Sequence, residues 1–264
     1  MERIYAISAK ERHDKILSSL LAAIETIPKD APDWKNQFKE KLGGMIAELR
    51  SETLVSEEDA WDFSEKKTLS ELVSDGLLRL RPILQEDCNF YSSVRKQHAT
   101  MPHIWEDEDF NRTQFTVEAM SQEVFLCIIE ESETGSPLGF IGIKDTRIEP
   151  WEVAIELTQK SCSCGYGPRA IHLFLSEISR ITGKQEFQFI VEVDNLPCQR
   201  CMEKLNARLT GLRANRLFRT EEERRIFENK NQNHINAHII ELSEQLSVEP
   251  CMLLSHFLDY RLEI

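Results

Sequence analysis

The chain contains no run of about 18 apolar residues, the length a helix needs to cross a bilayer. Its first residues, MERIYAISAKERHDK, hold no apolar stretch suited to a secretion signal. A basic excess is also missing: 32 Lys and Arg stand against 45 Asp and Glu, a net charge of -13. Broad nucleic-acid surfaces rest on clustered Lys and Arg, so nucleic acid is excluded as a partner, and so is a membrane. Such a charge serves solubility and also suits a cationic partner or an amine substrate. The seven cysteines are an odd number scattered through a chain too large to need staples. That usage fits free thiols in a reducing compartment, and the cytoplasm is the expected location. Three short motifs are absent as well: the GxxxxGK[ST] phosphate loop, the third glycine of a dinucleotide fingerprint (Ala170 holds that position) and H-E-x-x-H. HINAH, residues 234–238, places His234 and His238 on one helical face but lacks the glutamate.

What is present is an ordinary globular composition, 41% hydrophobic and 29% charged over 264 residues, enough for one large domain plus an appendage. Residues 1–75 read as three helices, forming a helical N-terminal extension. AKERHDKILSSLLAAIETI carries Ile16, Leu17, Leu20, Leu21 and Ile24 at helical spacing. DWKNQFKEKLGGMIAELR repeats the pattern with Phe38, Leu42 and Ile46, and a third helix runs to Gly76.

After Gly76 the periodicity alternates between two and 3.6. LLRLRPI reads as a strand, QEDCNFYSSVRKQHA and DEDFNRTQFTVEAM as helices, and EVFLCIIEES with LGFIGIKD as a β-hairpin. WEVAIEL is a further strand. It is followed by a glycine turn, helix PRAIHLFLSEISRIT, strand FQFIVEV, helix LPCQRCMEKLN and a strand over RLTGLRANRLF. Residues 220–253 form a charged helical insert, and SHFLDYRLEI closes the chain as a strand. Alternating β and α units of this kind predict an α/β fold over residues 76–264.

The turn SCSCGYGPRAI joins strand WEVAIEL to its helix. Gly165 and Gly167 permit positive φ and close approach of a ligand to the backbone. Pro168 suits the first helical turn, where a missing N–H costs nothing. A helix start of this type offers free amides and a positive dipole end to an anion.

The order of hairpin, acid-bearing strand, GxG turn, helix, strand and DNLPCQRCMEKLNARLTGL resembles the GNAT superfamily of acyl-CoA N-acyltransferases. The likeness is to the branch that acetylates ribosomal-protein N-termini and similar amines. The cofactor motif of that family, Arg/Gln-x-x-Gly-x-Gly/Ala, falls on Cys162, Ser163, Cys164, Gly165, Tyr166 and Gly167. WEVAIEL stands where the family has EIGYWL, and Asn195, Lys204, Leu205 and Gly211 match a further family segment. The likeness spans about residues 77–219 and the last ten.

The resemblance implies a mixed, mostly antiparallel central sheet whose strands WEVAIEL and FQFIVEV splay apart. It implies acetyl-CoA as co-substrate, with pantetheine pairing to backbone near Ile155 and Leu157 and the diphosphate held by the amides of residues 162–168. Asn195 is carried over with the cofactor site. The acceptor is a primary amine, either a peptide N-terminus or a small amine, that attacks the thioester directly. Glu152 matches the acid position of the family, and Glu156, on the same strand face, lies one pleat nearer the thioester. Either is a candidate base. Cys162 replaces the usual Arg or Gln, with Arg169 or Lys160 available to restore positive charge. Met202 stands where many members carry the tyrosine that protonates the leaving thiolate.

Three other readings stay open. A catalytically silent member of the same fold would bind an acyl-CoA or a protein partner. Cys198 and Cys201 form a C-x-x-C at a helix start, where the dipole would make Cys198 acidic, as in a thiol oxidoreductase. With Cys162 and Cys164 the same pair would supply four thiolates to zinc, although C-x-C is not a usual zinc spacing, and no metal is expected. In the loop HATMPHIWEDEDF, His103 and Trp105, beside the carboxylates of residues 106–109, suit an incoming ammonium. A homodimer is also open.

Overall fold

The computed structural model describes residues 73–99, 102–121, 123–215, 217–218 and 220–264, all within one compact unit, Ala60–Ile264. The helical reading of residues 1–72 lies outside the described residues. At its end the structure corrects that reading: Val73–Ser74 is a short strand, β1, paired antiparallel with Leu80 and Arg79 of β2, Leu78–Pro82. Asp-Gly is a strong hairpin signal, and here it overrides the helical periodicity. Gly76 adopts φ 88°, and Asp75 Oδ1 accepts the amides of Leu77 and Leu78 at 3.1 and 2.9 Å.

Two helices follow, α1 (Cys88–His98) and α2 (Glu108–Ala119). Then come the hairpin strands β3 (Phe125–Glu131) and β4 (Pro137–Ile143), and strand β5 (Trp151–Leu157). Helix α3 (Tyr166–Thr182) crosses to β6 (Glu186–Glu192), and α4 (Leu196–Lys204) leads to β7 (Arg208–Ala214). The insert holds α5 (Glu221–Lys230) and α6 (Ala237–Leu246), and β8 (His256–Glu263) ends the chain. Asn236 caps α6 by accepting the Ile239 amide at 3.0 Å. Because that cap falls between them, His234 and His238 do not share a helix, contrary to the sequence expectation.

The strands form one mixed, mostly antiparallel sheet in the order β1-β2-β3-β4-β5-β6-β8-β7. Only β5 and β6 run parallel, and their ladder stops after two pairs, Trp151 with Phe187 and Glu152 with Gln188. Both pairs lie at the start of the strands, so the remaining residues part toward the ends that lead into α3 and α4. β8 returns from the insert to lie between β6 and β7.

Alternation along the strands sorts side chains onto two faces. Ile141, Ile143, Trp151 and Val153 pack with Ile171, Phe174, Leu175 and Ile178 of α3 in one core cluster. Phe140 and Ile128 pack with Tyr91, Val94, Phe115 and Ala119 of α1 and α2 in the other. The α3 residues recur at helical spacing and bury one stripe, each large side chain contributing roughly 1.5–3 kcal/mol of burial.

Candidate active site

The site lies where β5 and β6 part. Even-numbered residues of β5 spend their backbone groups on β4: the Glu152 carbonyl accepts from Lys144, and the Thr158 amide donates to Leu138. By alternation, Val153, Ile155 and Leu157 turn their amides and carbonyls toward β6, and past the end of the ladder those of Ile155 and Leu157 face the gap. The Leu157 carbonyl there lies 2.7 Å from His98 Nε2. A carbonyl only accepts, so Nε2 carries the proton in this contact.

Helix α3 begins beside this gap and, like α1, has no side-chain cap. Helices α2, α4, α5 and α6 are capped by the side chains of Asp107, Asn195, Thr220 and Asn236. The position before α3 is Gly165, at φ 83°, and no side chain caps that end. Ser163 is also left-handed, at φ 62°. Among the described residues no hydrogen bond uses the amides of Ser163, Cys164, Gly165, Tyr166 or Gly167. Unpaired donors at the positive end of a 17-residue helix are chemically suited to an anion. The Cys162 amide does not belong to it, because it donates to the carbonyls of Thr158 and Gln159 at 3.1 and 3.3 Å. The expected span of residues 162–168 therefore shrinks to 163–167, Pro168 having no N–H.

Two residues expected at the cofactor site, Arg169 and Asn195, are already committed. Arg169 donates from Nε to Asp75 Oδ2 and lies 3.5 Å from the Asp75 carbonyl. Burial alone would raise the Asp75 carboxyl; the Leu78 amide and Arg169 outweigh it and hold it below its ordinary value. Asn195 Oδ1 accepts the Cys198 amide at 3.1 Å and so caps α4.

The two candidate acids share a face but not an environment. Glu152 has both oxygens engaged, with Lys144 Nζ at 2.5 Å and Arg213 Nη1 at 3.2 Å. Glu156 Oε1 accepts from Arg95 Nη1, while its Oε2 is shielded from water and has no partner among the described residues. About 13 Å of strand separates the two positions.

His103 is exposed. The face of Trp105 is covered by one of the protein's own cations, the Arg95 guanidinium, 5.5 Å from the ring centroid. The neighbouring carboxylates are in use too: Glu106 pairs with Lys96 at 3.1 Å, and Asp107 caps α2. An open aromatic box for an ammonium is therefore not formed by this loop.

Cys198 is not the acidic thiol that the redox reading calls for. Burial pushes the Cys198 thiol up to about 11, and burial followed by Cys198 pushes Cys201 up to about 12. The acidic Cys198 of the oxidoreductase reading is thus overturned, since desolvation outweighs the helix dipole. Among the described residues no three His, Cys, Asp or Glu side chains come together to hold a metal. Met202 is fully buried in the core.

Arg95, which meets Glu156, and Glu118 and Tyr91, which hold Arg95 from behind, were not legible in the sequence. The one available signal was the i, i+4 spacing of Tyr91 and Arg95, which puts both on one face of α1.

A central sheet parted between two parallel strands, with an uncapped helix start at the opening, is the arrangement that the resemblance to the acyl-CoA N-acyltransferases implies. Residues 78–208 match the family model described as an acetyltransferase (GNAT) domain, and that segment is a domain of this family. The fold is shared with a protein assigned as a ribosomal-protein-serine acetyltransferase from Vibrio cholerae, at 13% identity and a TM-score of 0.51. That match covers 74% of this chain and 99% of the other. A ribosomal L7/L12 alpha-N-protein acetyltransferase solved with coenzyme A is similar at 11% identity and a TM-score of 0.52, over 74% and 98% of the two chains. No curated protein sequence matches the chain. Among the described residues no helix is long and apolar enough to cross a membrane.

Proposed function

We propose that the protein transfers an acetyl group from acetyl-CoA to a primary amine by direct attack, in the cytoplasm. One observation carries the reading: five consecutive amides, Ser163 to Gly167, stand unpaired at the start of α3, beside the gap between β5 and β6. They would hold the diphosphate. The gap-facing backbone of Ile155 and Leu157 would hold the pantetheine arm, once His98 releases the Leu157 carbonyl. With Arg169 paired to Asp75, the amides carry most of the anion binding and exposed Lys160 is the nearest cation in sequence.

Bound acetyl-CoA supplies the activated acyl group. Glu156, with one free oxygen, is the better placed of the two acids to take the proton from the ammonium. A gap-facing β5 amide meets the developing oxyanion. Met202 has no proton to give, and a thiolate whose conjugate acid has a pKa near about 8.5 leaves without one. Both solved neighbours are described as acting on ribosomal proteins, so a protein amino terminus heads the panel of acceptors, with small amines after it.

A second reading, a silent acyl-CoA binder, is favoured by the buried Met202 and by the two ion pairs that occupy Glu152. Calorimetric titration with coenzyme A tests the cradle. Thiol release from acetyl-CoA over a panel of peptides, polyamines and aminoglycosides tests the chemistry. Heat without thiol release supports the silent reading, and no heat removes both.

A further inference from the structure

Side chains from α1, α2 and the loop between them close around Glu156 on the sheet face that those helices cover. Arg95 of α1 donates to Glu156 Oε1, and its Nη2 lies 3.5 Å from Glu118 Oε2 on α2. Tyr91, one turn earlier on α1, donates its hydroxyl to the same Glu118 oxygen at 2.6 Å. Burial, then the Glu118 carboxylate, pushes the Tyr91 phenol upward, so it stays a neutral donor. Behind the guanidinium lies Trp105, its ring set edge-on to Phe110 at 5.4 Å and its carbonyl accepting from Asn111 Nδ2 at 3.1 Å. Burial pulls the Arg95 guanidinium down, and Glu156 and Glu118 more than offset it.

Two features set this cluster apart from a structural ion pair. Its charge does not balance: two carboxylates face one guanidinium, leaving one negative charge over. Its hydrogen bonding is incomplete as well, since Glu156 Oε2 and Arg95 Nε are shielded from water and have no partner among the described residues. Buried polar atoms are normally paired, and an orphan carboxylate oxygen at the site calls for a cationic donor.

We propose that Arg95 is a positioning residue: braced by Glu118, Tyr91 and Trp105, it fixes one oxygen of Glu156 and leaves the other to meet the ammonium group of the acceptor. The inference rests on the acetyl-transfer reading above. Glu156 is the group that touches the amine, and Arg95 acts through it. The charged and titratable groups facing Glu156 are Arg95 and Tyr91 on α1, Glu118 on α2 and Glu152 along its own strand. Its partner across β4 is the apolar Phe140.

The test separates positioning from support by the sign of two shifts. In Arg95→Gln the carboxylate loses its cation and takes a proton more readily. The acidic limb of kcat/KM against pH is then expected to move up by about one unit or more. In Glu118→Gln a neighbouring negative charge is lost, so the limb is expected to move down. Arg95→Lys keeps the charge but not the planar fork. It is expected to hold the limb near the wild-type position while KM for the amine rises severalfold and KM for acetyl-CoA stays within twofold. The amines used are a serine-initiated peptide and spermidine. A limb that stays in place in both Arg95→Gln and Glu118→Gln, whatever happens to the rate, would reduce Arg95 to a packing element and overturn the proposal.

A second measurement needs no turnover. Carbon-13 carboxyl NMR of glutamate-labelled protein, with the Glu156 signal identified by its loss in Glu156→Gln, follows the same titration directly. The expected displacements are again opposite in Arg95→Gln and Glu118→Gln, and an unmoved Glu156 signal overturns the proposal. Should neither amine react in the wild type, acetyl transfer to these acceptors fails while the NMR titration still decides the part played by Arg95. Should Arg95→Gln fail to fold, Arg95→Lys and Glu118→Gln carry both measurements.

Discussion

Arg213 on β7 donates from Nη1 to Glu152 Oε2 at 3.2 Å, reaching over β6 and β8, the two strands that lie between β7 and β5. Glu152 is also the last β5 residue paired with β6. The carboxylate that matches the family acid by sequence is therefore a brace at the hinge of the gap. Glu156, four residues on, keeps a free oxygen.

The two acids should separate on substitution. Glu156→Gln is expected to lower kcat by about 10²- to 10⁴-fold, the usual contribution of a positioned base, with coenzyme A affinity unchanged. Glu152→Gln breaks partly solvated pairs worth about 1 kcal/mol and should lower Tm by roughly 2–4 °C, with the smaller loss of rate. Steady-state kinetics and thermal melts on the two variants check this, and the reverse order of rates would return the base to Glu152.

Gly167 offers a test of the cradle. A Cβ added there would sit 3.5 Å from Cys201 Sγ and 3.9 Å from Leu157 Cδ1, both ordinary contacts, so the protein's own packing does not demand glycine. Gly167→Ala is expected to melt at the wild-type temperature or above, yet to bind coenzyme A at least tenfold more weakly, about 1.4 kcal/mol. Calorimetry on this variant decides, and unaltered affinity would remove these amides from the binding site.

Gly139 behaves in the opposite way. A Cβ on this β4 residue would lie 2.2 Å from the Glu156 carbonyl and 2.8 Å from the Leu157 Cα. Backbone cannot yield as a flexible side chain does, so β4 would be forced off β5 next to the site. Gly139→Ala should cost about 1–3 kcal/mol, read by urea denaturation, and should disturb Glu156 through its backbone. A melt indistinguishable from wild type would show that the strands have room to separate.

The thiols predict behaviour at high pH. Burial pushes Cys127 up to about 12 and Cys198 up to about 11, against about 8.5 in an unfolded chain. Between about pH 9 and 11 the unfolded state gives up protons that the native state retains. Stability from these thiols is thus fully present below about pH 8.5 and falls as pH rises. Tm should decline over that range. At pH 7.5 a maleimide should label exposed Cys164 well before Cys198 or Cys201, and Cys198→Ser should keep full activity. Rapid labelling of Cys198 would restore the redox reading.

Much of the architecture was legible because it is local. The hairpin of β3 and β4, the strand WEVAIEL, helix α3 after the GxG turn, and β6 with α4 all follow from periodicity and turn residues within a few positions of each other. Local competition explains the misreadings: at Asp75-Gly76 a hairpin turn replaces the expected helix end, and at Asn236 a cap divides two histidines that a continuous helix would have aligned.

By itself the sequence determined which segments become strands and helices and which turn carries the open amides, since periods of 2 and 3.6 and a glycine at a helix start act over short range. Tertiary structure alone decided how the charged side chains are spent. Arg169 goes to Asp75, Arg213 to Glu152 and Arg95 to Glu156, pairs 94, 61 and 61 residues apart. A long side chain finds its partner only after the sheet has brought distant strands and helices together, so no local pattern records which carboxylate remains free to react.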